Sequence, residues 1–309
     1  MPASGKWFFC LVCSSFGWAI FLPGCVSAPR VIQIPTVLES VRPTIRLTSD
    51  YPETLAVIVS VMAGDLNLPT ADGTVTFYPN SVALESALVV EYGKDFEQVE
   101  KQLAPQEKER FQATKAERIA LAARQRATTA VAVGMYKRVL VNELIFFRYA
   151  WSERVRVLAH ELTHTVQKAL VDGRLISADL WLVEGSAEWV AYKVLDELDI
   201  ETFAKGRERT IEVAAKARQY QTFPRLTQLV TGTEWQTWGR NLGREATYNQ
   251  AFLAVDFLIE QKGLPAVVEY FRLFGKLNNR ERNFTTAFGE PVSTFEEQFS
   301  NQLQVLLGK

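Results

Sequence analysis

The chain of 309 residues is 48% hydrophobic and 22% charged, and 34 basic side chains stand against 35 acidic ones for a net charge of −1. This even balance, with no run of like charge, argues against a nucleic-acid partner and against a polybasic membrane patch. The apolar share is ample for a sizeable core, and no internal repeat or low-complexity stretch interrupts it.

Residues 1–25 read as an export segment rather than as part of a fold. Lys6 precedes an apolar run over 7–22, which ends at Pro23-Gly24-Cys25, the order of a secretory signal peptide. Leu22-Pro23-Gly24-Cys25 also resembles a bacterial lipobox, which implies lipidation of Cys25. Three outcomes follow in order of preference: a lipoprotein, plain secretion, or an uncleaved anchor, since roughly 20 apolar residues can just span a bilayer. All three place the domain outside the cytoplasm, in the cell envelope. The three cysteines Cys10, Cys13 and Cys25 all fall in this segment, so the mature domain has no disulfide to make. Residues 26–43 carry Pro29, Pro35 and Pro43 and read as an extended tether.

From residue 44 the pattern predicts an α+β half reaching to residue 180. A helix is expected over 51–67 with Pro52 in its first turn, a strand over 74–78, and a second helix over 81–92 capped by Ser81. Residues 94–126 are charge-rich, alternate in sign and contain Pro105. They read as a solvent-facing helical excursion over one side of the sheet. Residues 129–147 turn β-rich, with Val131, Val133, Tyr136, Val139, Val141, Leu144 and Ile145 carrying the β character and Lys137-Arg138 as the turn between two strands.

Residues 151–170 read as a helix with an apolar stripe of Val155, Leu158, Leu162 and Val166. Within this helix runs His160-Glu161-Leu162-Thr163-His164, whose two histidines lie nearly opposite the stripe and are the only two in the chain. At i and i+4 both imidazoles can reach one metal ion, while Glu161 lies to one side, where its carboxylate can address a water as a general base. A catalytic zinc takes three protein ligands and keeps a fourth position open. The third donor is expected from Trp181-Leu182-Val183-Glu184-Gly185-Ser186-Ala187-Glu188-Trp189, a run too apolar for a plain solvated helix face. Glu184 fits as that ligand, and Glu188, one turn on, can accept the outward ring N–H of a ligating histidine.

These motifs resemble those of the gluzincin metallopeptidases, in particular the bacterial peptidase MA-like group with its HELTH and WLxEGxAEW-type signatures. The likeness is strongest over residues 151–196 and extends in pattern over about 44–307. It implies a zincin-like fold with one zinc held by His160, His164 and Glu184, Glu161 as catalytic base and Glu188 as the partner of a ligand. In that family an edge strand before the metal helix binds the substrate backbone by strand addition. Residues 130–136 are the candidate, although an ordinary internal hairpin would read the same.

Residues 181–309 are expected to form a helical half with helices over 201–220, 246–261, 265–274 and 295–307, punctuated by Gly263, Gly275 and Gly289-Glu290-Pro291. The cleft would lie between the halves with zinc on its floor. Tyr248, after a loop over 239–244, resembles the tyrosine on the corresponding helix of the peptidase MA-like group. The resemblance implies that it stabilises the oxyanion, and the alternative is an aromatic packing against Phe252, Val255 and Leu258. The expectation is therefore an exported, membrane-tethered zinc peptidase acting on peptide or protein substrates. The alternative is a zinc-binding, non-catalytic relative serving as a binding or assembly factor in the envelope.

Overall fold

A computed structural model describes residues 28–35, 51–220 and 222–308. The export segment with Cys25, and residues 36–43 of the expected tether, lie outside the described residues. Part of that tether is instead a strand. Arg30–Ile34 (β1) alternates exposed and buried positions, with Ile32 and Ile34 turned into the core, and the flanking prolines Pro29 and Pro35 bracket it. Prolines that read as a tether mark the limits of an edge strand.

β1 is followed by α1 (Tyr51–Ser60), which passes into a π-helical turn over Val61–Asp65, and by β2 (Gly73–Tyr78). Next come α2 (Ser81–Gln102) and α3 (Pro105–Thr129), then the hairpin of β3 (Ala132–Met135) and β4 (Arg138–Asn142), with a short α4 (Glu143–Phe146). The cap of α2 is Asn80, not Ser81: the Asn80 side chain accepts the Ala83 N–H at 2.9 Å. The helix also runs through Gly93 to Gln102, well past residue 92, and Pro105 opens the next helix at its first turn, where a missing N–H costs nothing. The hairpin turns at Tyr136-Lys137, with Lys137 at φ 59°, so Arg138 already belongs to β4 and pairs with Met135.

The sheet order is β1-β2-β4-β3, antiparallel except for the β2–β4 pair. The α2–α3 hairpin supplies the crossover and covers one face through Leu84, Leu88, Ala123 and Ala127. The other face carries Ile32, Val75, Phe77, Val139 and Val141 and packs on α1 and on α5 (Trp151–Ala169), whose Val155, Leu158, Leu162 and Val166 are all buried. Among the described residues strand β3 is an edge of the sheet.

The second half is helical: α6 (Leu180–Glu197), α7 (Phe203–Arg218), α8 (Gly232–Leu242), α9 (Arg244–Lys262), α10 (Leu264–Leu273), α11 (Arg280–Phe288) and α12 (Val292–Leu306). Helix α8 takes in most of the loop expected over 239–244, and α11 falls in a stretch to which no element was assigned. Thr231 and Glu234 form a reciprocal cap at the start of α8, and Gly239 lies inside it with open space around its α-carbon, so a glycine read as a loop signal is simply tolerated. The class is thus mixed α+β, helix-rich, with a small four-stranded sheet. One continuous core runs from Ile32 through α5 and α6 to Leu303, joining the two expected halves. Among the described residues no helix is long and apolar enough to cross a membrane.

Helix α6 is fixed by its neighbours. The Asp179 N–H is received by the Tyr270 hydroxyl at 3.0 Å, and that hydroxyl donates back to the Asp179 carboxylate at 2.8 Å. Trp189 Nε1 donates to Asp256 of α9 at 3.1 Å. Between them, Gly185 lets α6 approach α9 so closely that a β-carbon would run into the backbone carbonyl of Ala251. Gly185→Ala is expected to lower stability by about 1–3 kcal/mol through overpacking, read as a shift in the denaturant midpoint; an unchanged midpoint would mean that the two helices can part at no cost.

Candidate metal centre

Helices α5 and α6 cross with His160, His164 and Glu184 facing one another. His160 Nε2 and His164 Nε2 are 3.1 Å apart, and Glu184 Oε2 lies 3.3 Å from the first and 3.5 Å from the second. Ligand atoms arranged tetrahedrally around a small divalent ion are separated by roughly 3.3 Å. Glu184 Oε2 is buried and receives no hydrogen bond, the condition of an oxygen aimed at a cation. The group could therefore hold a metal ion.

The outward nitrogens of the two rings are oriented differently. His164 Nδ1 lies 2.8 Å from Gln167 Oε1, while Gln167 Nε2 donates to the Val183 carbonyl and to Ser186 Oγ, each at 2.9 Å. Because the amide nitrogen is committed to a carbonyl, its oxygen must accept. His164 then carries its proton on Nδ1 and presents a lone pair from Nε2 to the triad. His160 Nδ1 lies 3.4 Å from Glu188 Oε1, and Arg156 of α5 donates to Glu188 Oε2 while its Nε holds Glu153 at 3.0 Å. Gln167 and Arg156 were not singled out in the sequence. Their offsets on α5, three residues after His164 and four before His160, were the available signal.

Electrostatics around this group are strained towards cations. Burial disfavours charge on His160, but Glu188, followed by Glu184 and Glu161, outweighs it and pushes its pKa up to about 10. Burial would raise Glu184, yet His164 and His160 hold it well below the usual carboxylate range. Glu188, also opposed by burial, is brought down to about 2 by Arg156 and His160.

Glu161 sits between the triad and the sheet edge, and its Oε2 accepts the backbone N–H of Gly134 on β3. Gly134 is needed there: a β-carbon would collide with the Glu161 backbone and with His164 Cβ. The Asn142 N–H donates to the Val131 carbonyl, so by strand alternation Ala132 and Gly134 face away from β4. The free edge thus offers the Ala132 N–H and C=O and the Gly134 C=O.

A cavity of about 620 Å³ lies on one side of the triad, with His160, Glu188, Tyr248 and Ala132 in its wall, and one of about 280 Å³ on the other, with His164, Glu184 and Gly134. Tyr248, in the second turn of α9, has its ring 6.2 Å from that of His160 and edge-on to Trp235 at 5.1 Å. Burial, then Glu184, pushes its phenol upward, so it stays a protonated donor. A further cavity of about 510 Å³ between residues 222–226 and α12 contains none of the expected site residues. Comparison of the chain with protein-family models, curated proteins and solved structures returns no match.

Since metal ligation needs a neutral His160, metal uptake at neutral pH must displace its proton. Titrating zinc into metal-free protein at pH 7.5 should reach one equivalent and release roughly one proton, read by calorimetry in two buffers of different ionisation enthalpy. Affinity should rise with pH towards about 10, where His160 deprotonates. His160→Ala, His164→Ala and Glu184→Ala should each lose most of the metal, and binding unaffected by all three would exclude the site.

Proposed function

We propose that the chain is a zinc-dependent peptidase of gluzincin type with a zincin-like fold, exported and held at the membrane through its N-terminal segment. The observation that carries this reading is the position of Glu161, whose side chain belongs to both cavities flanking the His160, His164 and Glu184 group. Glu161 thus borders the open space on either side of the triad. A zinc ion bound by the triad would supply Lewis acidity, bringing the pKa of a water towards neutrality and polarising a carbonyl.

The chain's own residues supply the rest. The free edge of β3 can pair with an extended peptide, which sets the scissile bond beside α5. The Gly134 N–H fixes Glu161 Oε2 and orients the carboxylate. Glu161 takes the proton of the attacking water and returns it to the leaving amine. Tyr248, kept protonated, donates a hydrogen bond to the oxygen on which charge develops. Gln167 and Glu188 hold the two imidazoles in place from behind. A glutamate beside the triad, in a position that ligates nothing, favours the enzyme over a purely zinc-binding factor.

Glu161→Gln keeps size and removes the proton acceptor. Zinc content should stay and cleavage of a peptide library should fall by ~10²-fold or more; cleavage at the parent rate would rule out this chemistry. Tyr248→Phe should lower kcat by ~10²-fold with KM and zinc content unchanged. A lower melting temperature with kcat intact would instead assign Tyr248 to packing.

A further inference from the structure

Arg126 stands in the last turn of α3, which ends three residues before β3 begins, so its backbone is pinned beside the free strand edge. It lines both cavities that flank the triad, and the one other residue common to their walls is Glu161. The two cavities therefore share a wall to which one carboxylate-bearing and one guanidinium-bearing residue contribute. Nearby arginines are committed: Arg156 to Glu188 and Glu153, Arg209 to Glu201, while Arg244 lies 5.6 Å from the Tyr248 ring centre. The Arg126 side chain makes no hydrogen bond or ion pair with any described residue.

We propose that Arg126 is a further catalytic residue, donating a hydrogen bond from its guanidinium to the oxyanion formed at the scissile carbonyl, in the cavity whose wall it shares with Glu161 and Tyr248. This rests on the peptidase reading. When the water oxygen bonds to the carbonyl carbon, one water proton passes to Glu161 and the carbonyl π pair moves onto oxygen. Arg126 stabilises that negative charge without giving up a proton. When the pair returns, the C–N bond breaks and the amine leaves with the proton held by Glu161. Because no carboxylate is hydrogen-bonded to Arg126 in the resting site, its N–H groups are available to the oxyanion, and an interaction made only as the reaction proceeds raises kcat rather than affinity. Burial works against the charge on Arg126, but Tyr248, Glu161 and Glu184 outweigh it, so the group stays protonated.

The test uses zinc-loaded full-length protein with Arg126→Met and Arg126→Lys, which keeps the charge and the stem. Arg126→Met should lower kcat by ~10²-fold or more with KM, zinc content and melting temperature near those of the parent, and Arg126→Lys should recover part of the loss. Independently of turnover, Arg126→Met should weaken binding of a phosphinic peptide, a tetrahedral anion, by a similar factor, and leave a reduced-amide peptide of the same sequence unaffected. Equal kcat and phosphinate binding in parent and variants would overturn the assignment. So would losses of zinc and melting temperature that account for the whole effect, or a KM effect confined to peptides with a free C-terminal carboxylate. A parent that binds zinc yet neither cleaves peptides nor binds the phosphinate would overturn the peptidase reading and this inference with it; a parent active in both, with Arg126→Met matching it, would overturn this inference alone.

Discussion

Two imidazoles and three carboxylates from α5 and α6 share one largely buried volume, and most features around the site answer the cost of putting them there. A buried carboxylate loses its water shell and must be given donors or a counter-charge. Glu188 has Arg156, Glu161 has the Gly134 N–H, and Glu184 has only the two imidazoles. The balance left over falls on His160, which takes a proton at ordinary pH. A divalent cation bound there would do the same electrostatic work at the same three atoms, which would link metal affinity to pH and to the integrity of the α5–α6 contact.

That contact has its own requirements. Gln167 ties α5 to α6 by bonding both the His164 ring and the Val183 carbonyl, so one amide fixes a tautomer and a helix spacing together. Two close approaches then bring further elements to the same point: β3 against α5 at Gly134, and α9 against α6 at Gly185. The first places the strand edge and Glu161 side by side, and the second brings Tyr248 over His160. Arg126 arrives from a third direction because α3 must end where the edge strand starts.

Much of this was legible in the chain. The i, i+4 histidines with an apolar stripe behind them placed the site on a helix, and the Glu184–Glu188 spacing within an apolar run placed its partner. The α+β to helical progression, the α2–α3 excursion and the hairpin before α5 also follow from period and composition. Where the reading departed from the structure, local signals were ambiguous in a definable way. Prolines bracketing β1 resemble those of a linker, and Gly239 resembles a loop residue although a helix tolerates it.

The sequence by itself determined the residue types that can bind a metal, their separation along two helices and the glutamate beside them, because helical periodicity alone puts such groups on one face. Only the tertiary structure decided that Glu184 meets the two imidazoles at ligand spacing, that β3 is an edge, that Gly134 holds Glu161 and that Arg126 lines both cavities beside the triad. Those facts depend on contacts between segments far apart in the chain. An arginine in a charge-rich helix carries no local mark of which way it will face, since its environment is set by the strand and helices that pack around its end.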